Sequence, residues 1–258
     1  MSFNNSINTE LQKILLENKN RWIDFLKKDN FSSILEECKE ICFKFLYKNE
    51  ILPHYDCFED VKPYNNIVAE TYNMNYINAS YLNKFIACQE PKTEYISLFY
   101  EFLIKSKAEL IIALKNDLTY FRKDENHKKT VIVKNDLLTI EEIYLDQEEN
   151  HKITRITCIA WKDFGILSSE QMEMLYTEVL KYDAFKNQHK TIVHCWAGVG
   201  RTGTFILFTI LKERSLKERI THEILIEEFI KLRCERCLTV QSSAQLKFLV
   251  DYFIKSNV

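Results

Sequence analysis

The stretch T-I-V-H-C-W-A-G-V-G-R-T-G, residues 191–203, decides how the rest of the chain is read. Thr191, Ile192 and Val193 form a short apolar, β-branched run with the length and composition of a buried strand. That run leads into a turn holding three of the chain's four glycines, Gly198, Gly200 and Gly203, and a helical pattern follows near 202–214. At average usage a chain of 258 residues would carry roughly 18 glycines. Where glycine is this scarce, the survivors mark places where a side chain would not fit. Cys195 and Arg201 face each other across the turn with five residues between them. Backbone N-H groups between them can converge on one anion, the helix N-terminus adds positive potential, and Arg201 offers a bidentate fork. The same donors stabilise a thiolate, so the pattern reads as an anion site built around Cys195 as nucleophile.

Working outward, the segments 76–82, 85–88, 110–114, 130–133, 137–145 and 153–161 read as strands, with a helix near 94–107 between them. Helical patterns cover 168–185, 221–233 and 241–255. Between 8 and 47, apolar residues recur at three- and four-residue spacing with a break at Asp29-Asn30, which predicts two N-terminal amphipathic helices. Residues 48–75 read as an ordered polar connection. The fold class expected is α/β (α+β): a central, highly twisted mixed sheet flanked by helices, with two N-terminal helices, as a single domain over 1–258.

Composition removes several classes of function. Thirty-five basic and 37 acidic residues give a formal charge of -2, without the basic excess of a nucleic-acid binder. The start lacks a basic region followed by an apolar one, and no apolar run approaches membrane-spanning length, so a cytoplasmic monomer with no membrane segment is expected. Eight cysteines in such a chain suggest a reducing compartment. Cys234-x-x-Cys237 lacks a partner pair at zinc spacing, and Cys38 and Cys42 lie at helical i, i+4 spacing, so both pairs read as structural.

The segment 194–203 resembles the H-C-x-x-G-x-x-R-[S/T]-G signature of the tyrosine-specific protein tyrosine phosphatases. Four more motifs follow the family's order: N-Y-I-N-A-S-Y-L (75–82), F-I-A-C-Q-E-P (85–91), W-K-D-F-G (161–165) and V-Q-S-S-A-Q-L-K-F (240–248). The A/T-rich composition and bare domain also resemble polydnavirus members, which would place the protein in a host cell's cytoplasm.

The resemblance implies hydrolysis of phosphotyrosine in proteins through a cysteinyl-phosphate, with no cofactor and no metal. Cys195 would attack phosphorus, while Arg201 and the amides of Trp196, Ala197, Gly198, Val199 and Gly200 hold the oxygens. Asp163 would be the general acid and base, Gln241 and Gln245 would orient water, and Thr202 would donate to the leaving thiolate. Tyr64 would stack on the substrate ring beside Asn66, which stands where the family has aspartate. His194 would support the loop, and Arg233 and Arg236 would brace it. Gly203 would let the following helix approach the sheet.

Departures from the family pattern suggest alternatives. Lys162 replaces a proline of the acid loop, Leu167 stands near a second, Glu90 replaces a glycine and Trp196 a serine. Leu238 replaces a rim glycine, and the loop after 110–114 is short. A weakened, substrate-trapping phosphotyrosine-binding module and a dual-specificity phosphatase are the competing readings.

Overall fold

The computed structural model describes residues 3–46, 55–122, 127–145, 151–163 and 165–256. Seven strands form one sheet: β1 (Ala79–Leu82), β2 (Phe85–Cys88), β3 (Leu110–Ala113), β4 (Lys129–Lys134), β5 (Leu138–Tyr144), β6 (Lys152–Cys158) and β7 (Thr191–His194). Their spatial order is β1-β2-β7-β3-β6-β5-β4. The central pairs β2·β7, β7·β3 and β3·β6 are parallel, whereas β1·β2, β6·β5 and β5·β4 are antiparallel. The sheet is therefore mixed, and β2, β3 and β7, buried at every position, carry the continuous apolar runs of a sheet covered on both faces.

Side-chain alternation divides the core in two. Phe85, Ala87, Leu110, Ile112 and Val193 face a large cluster that includes α1 (Phe3–Glu17), α2 (Lys19–Lys27) and α3 (Phe31–Phe43). Ile86, Cys88, Ile111 and Ile192 face the opposite cluster, beneath α4 (Ile67–Thr71) and α5 (Ile96–Ser106). The remaining helices are α6 (Ser169–Val179), α7 (Asp183–Lys186), α8 (Gly200–Ser215), α9 (His222–Glu235) and α10 (Ser243–Val250), the last continuing as a π turn over Asp251–Lys255. Capping boxes start α6, with Ser168 and Gln171, and α10, with Ser242 and Gln245.

The first of the two expected N-terminal helices is divided. Asn18 donates through Nδ2 to Ile14 O at 2.9 Å, an asparagine competing for a helix carbonyl, and α2 begins at the next residue. The break at Asp29-Asn30 is present, with Asp29 at φ 55°. Strand β1 is shorter than 76–82 because Asn78 turns its side chain to Val61 O at 2.7 Å. Nine non-glycine residues among those described hold positive φ, including Lys107 (50°), Leu238 (63°) and Val240 (58°). Among the described residues no helix is long and apolar enough to cross a membrane.

Candidate active site

Strand β7 ends at His194, the loop 195–199 follows, and α8 opens at Gly200. The loop lies against β2. Gly198 sits at φ 70°, and a Cβ there would stand 1.9 Å from Cys88 O, so both the conformation and the close approach require glycine. Arg236 holds the loop from below: Nε donates to Gly198 O at 2.9 Å and Nη2 to Ala197 O at 3.3 Å. Asn78 Oδ1 and Ser80 Oγ fix the same guanidinium at 2.8 and 3.3 Å. Arg233, the other expected brace, donates to Val240 O at 2.8 Å and reaches no phosphate-loop carbonyl. Gly203 packs against Thr239 and Val240 rather than against the sheet; a Cβ there would lie 2.6 Å from Val240 N.

His194 is fully buried. Its Nδ1 donates to Cys195 O at 2.9 Å, and Tyr120 OH donates to its Nε2 at 2.5 Å. Burial lowers its pKa to about 4, and nearby Lys115, Arg155 and Arg201 oppose protonation further. The neutral ring thus takes one donor and one acceptor role, both spent on holding the loop.

A cavity of about 170 Å3 brings together Cys195, Trp196, Ala197, Gly200, Arg201, Asp163, Gln241 and Gln245, with Phe58 on its wall. Cys195 is 4 % exposed at its floor. Arg201 donates through Nη1 to Trp161 O and through Nη2 to Asp163 Oδ1, both at 2.9 Å, which draws the 161–165 turn over the cavity. That turn is built without the expected proline: Trp161 Nε1 donates to Gly165 O at 3.0 Å, and Gly165 N to Lys162 O at 3.1 Å. Lys162 is left exposed, and Leu167 is buried in the core.

Both glutamines converge on the start of α8, since a Cβ at Gly200 would meet Gln241 Oε1 and Gln245 Nε2, each at 3.1 Å. Gln245 Oε1 already accepts Gln241 N at 2.8 Å and Ser242 N at 3.1 Å, so its role includes capping α10. Val199 is fully buried and ties the loop to the 238–241 turn, its carbonyl accepting Val240 N at 3.2 Å. The Thr202 hydroxyl is buried and has no hydrogen-bond partner among the described residues.

Two expected residues are not brought to the cavity. Tyr64 is in the core, its hydroxyl donating to Arg233 O at 2.7 Å. Asn66 begins α4, and its Nδ2 donates to Asn75 O at 2.9 Å. Neither side chain lines the cavity, although Asp60 and Val61 just before them do. Leu238 is likewise buried rather than at a rim.

Sequence reading missed Phe58, Tyr120 and Lys115. Phe58 reaches the cavity because Gln89 shapes the preceding turn, its Oε1 accepting Cys57 N at 2.9 Å and its Nε2 donating to Val61 O at 2.8 Å. The only available signal was Gln89 itself. Lys115, on the short loop after β3, pairs with Glu90. All eight cysteines are free thiols. No group of three or more His, Cys, Asp or Glu side chains among the described residues could hold a metal ion.

The sequence profile of the protein-tyrosine phosphatase family matches residues 56–255, and the chain belongs to that family. It is 28% identical over 269 residues to mouse receptor-type tyrosine-protein phosphatase C, covering 88% of this chain and 20% of the relative. The chain spans about a fifth of the length of the curated relatives it matches first. The catalytic domain of human protein tyrosine phosphatase non-receptor type 18 superposes with TM-score 0.70 at 18% identity, covering 92% of this chain and 99% of that one. A Trypanosoma brucei protein tyrosine phosphatase gives TM-score 0.67 at 17% identity, covering 88% and 93%. The fold and the family thus define a protein-tyrosine phosphatase catalytic domain.

Proposed function

We propose that this chain hydrolyses phosphotyrosine in proteins, and the carrying observation is the convergence of Cys195, Arg201, Asp163 and Gln241 on one cavity at the start of α8. The Cys195 thiolate attacks phosphorus, forming the S-P bond as the bond to the tyrosyl oxygen breaks. Arg201 and the loop amides hold the non-bridging oxygens as charge develops on them. Asp163, on the turn already drawn over the cavity, gives its proton to the departing phenolate, whose conjugate acid has a pKa near 10. In the second half, the Asp163 carboxylate takes a proton from a water positioned by Gln241. That water attacks phosphorus, the S-P bond breaks, and inorganic phosphate leaves. The unpartnered Thr202 hydroxyl is then a donor for the returning thiolate.

The pairing of Arg201 with Asp163 supports an enzyme over a phosphotyrosine-binding module, because Asp163 lines the same cavity as Cys195 although Lys162 precedes it. A solved structure of the non-receptor type 18 phosphatase holds HER2 phosphopeptides, which supports a phosphoprotein substrate here. The test is phosphate release from phosphotyrosyl, phosphoseryl and phosphothreonyl peptides in chelator. Turnover should be tyrosine-selective, abolished in Cys195→Ser, and lowered about 10²- to 10⁴-fold in kcat in Asp163→Ala. Binding without turnover in the wild type would establish the binding module instead. Equal cleavage of the threonyl peptide would establish dual specificity.

A further inference from the structure

Arg233, the expected brace that reaches no phosphate-loop carbonyl, is only 1 % exposed. Its Nη2 donates to Val240 O at 2.8 Å, and the guanidinium carbon lies 4.9 Å from the Phe229 ring centroid. Nε and Nη1 are buried without a hydrogen-bond partner among the described residues, so neither meets a carboxylate. A buried cation needs a counter-charge close by, because the interior around it screens little. The polar groups that surround it are sulfurs. Cys38, Cys42 and Cys237 are fully buried, and each feels the Arg233 charge.

Cys42 is the centre of this group. Cys38, one helical turn before it on α3, has its Sγ 3.8 Å away, and Cys237 hydrogen-bonds it from the turn after α9. The carbonyl that a Cys42 proton could reach, Arg233 O at 4.0 Å, already accepts Tyr64 OH at 2.7 Å. Cys42 therefore has two thiols to accept from and a poor acceptor for a proton of its own. Hydrogen bonds from Cys237 and Cys38 hold its pKa down to about 3 against burial, and the Arg233 charge adds to them. Cys38, Cys237 and Tyr64 are all raised and keep their protons. Cys234, the other titratable group beside Cys42, is pushed up by burial to about 12.

We propose that Cys42 is a second thiolate of this protein, the buried counter-ion of Arg233, and that the pair positions the turn that carries Gln241. The thiolate forms on folding, when Cys42 releases its proton to solvent. Arg233 then holds Val240 O, Val240 N donates to Val199 O in the phosphate loop at 3.2 Å, and Gln241 is the next residue. One guanidinium thus links α3 to the residue beside the reacting water. The thiolate assignment stands apart from the phosphatase reading above, whereas the positioning role rests on it.

The experiment reads the ultraviolet absorbance of thiolate at pH 6 in Cys195→Ser, where the nucleophile makes no contribution. A thiol of ordinary pKa near 8.5 is protonated there. Burial keeps the remaining thiols protonated too, with Cys88 pushed up to about 12, Cys158 to about 11, and Cys57 raised. Folded Cys195→Ser should show one thiolate per chain, lost on unfolding in urea at the same pH. Adding Cys42→Ser or Arg233→Met should abolish the signal, and adding Arg233→Lys should retain it. A folded Cys195→Ser chain without the signal overturns the proposal, and this arm leaves the cluster itself unaltered. A signal that survives Cys42→Ser overturns the assignment to Cys42, and one that survives Arg233→Met overturns the counter-ion. In the chain that keeps Cys195, Cys42→Ser should lower kcat for a phosphotyrosyl peptide roughly tenfold with little change in KM, since a small displacement beside the reacting atoms costs rate. An unchanged kcat with the signal lost overturns the positioning role alone. A folded wild type that shows the signal but hydrolyses no peptide overturns the phosphatase reading and the positioning role, and supports the thiolate.

Discussion

At pH 8.5 a Glu235→Gln variant should be more stable than the wild type by about 1–3 kcal/mol, and at pH 4.5 the two should be nearly equal. Glu235 is the last residue of α9, where the helix dipole disfavours negative charge. Its carboxylate oxygen accepts Asn83 N at 3.0 Å, but burial dominates and raises its pKa from 4.5 to about 7. A displacement of that size sets a ceiling of roughly 3 kcal/mol. Between the two values the folded chain keeps a proton that the unfolded chain has released, so stability falls as pH rises from about 4.5 to 7. Glutamine keeps the acceptor for Asn83 and removes the charge.

His194 works in the opposite sense. With its pKa lowered to about 4, it is deprotonated in the folded state while the unfolded side chain still takes up a proton below about 6.5. Its contribution to stability is therefore present above pH 6.5 and lost as pH falls toward 4. In the wild type the two trends offset each other between pH 4.5 and 6.5; in Glu235→Gln the His194 trend should emerge as stability that rises with pH. Urea denaturation of both proteins at half-unit steps from pH 4.5 to 8.5 provides the test, with a Tm difference of about 2–4 °C per kcal/mol as a cross-check. A stability difference independent of pH would refute the reasoning, because it would mean that the Glu235 carboxyl ionises alike in the folded and unfolded chains.

Gly198→Ala places a methyl 1.9 Å from Cys88 O at φ 70°, so the loop must move away from β2 and Arg236. We expect about 3 kcal/mol or more of destabilisation in urea, or a fold retained with kcat/KM lowered about 10²-fold. Tyr120→Phe removes the donor to His194 Nε2 and leaves a buried acceptor unsatisfied, at an expected cost of about 1–3 kcal/mol measured by urea unfolding.

How far the sequence could be read depended on whether a residue's partners were near it in the chain. The passage from β7 through the loop into α8 was legible because its requirements are local: a β-branched run, glycines where no Cβ fits, and a helix start. The central strands were legible for the same reason, as short continuous apolar runs. Residues whose placement depends on distant partners were not. Tyr64 fits a substrate-facing motif by spacing, yet its hydroxyl is satisfied by the carbonyl of Arg233, 169 positions away. Phe58 reaches the cavity through Gln89, 31 positions on, and lies in a segment with no periodicity. The division at Asn18 was missed because the apolar spacing continues across it, and α4 because a single turn carries too few residues to show a period.

The left-handed residues noted in the fold show where this chain is thermodynamically unoptimised. With glycine so rare, Lys107 at the end of α5 and His189 before β7 take backbone conformations that cost an L-residue roughly 1–2 kcal/mol each. Both lie outside the cavity described above. Substitutions to glycine there would relax the backbone, opposed in part by the greater freedom glycine gives the unfolded chain. The protein therefore carries a reserve of attainable stability in its turns, which could absorb the cost of destabilising changes nearer the nucleophile while the pocket is remodelled.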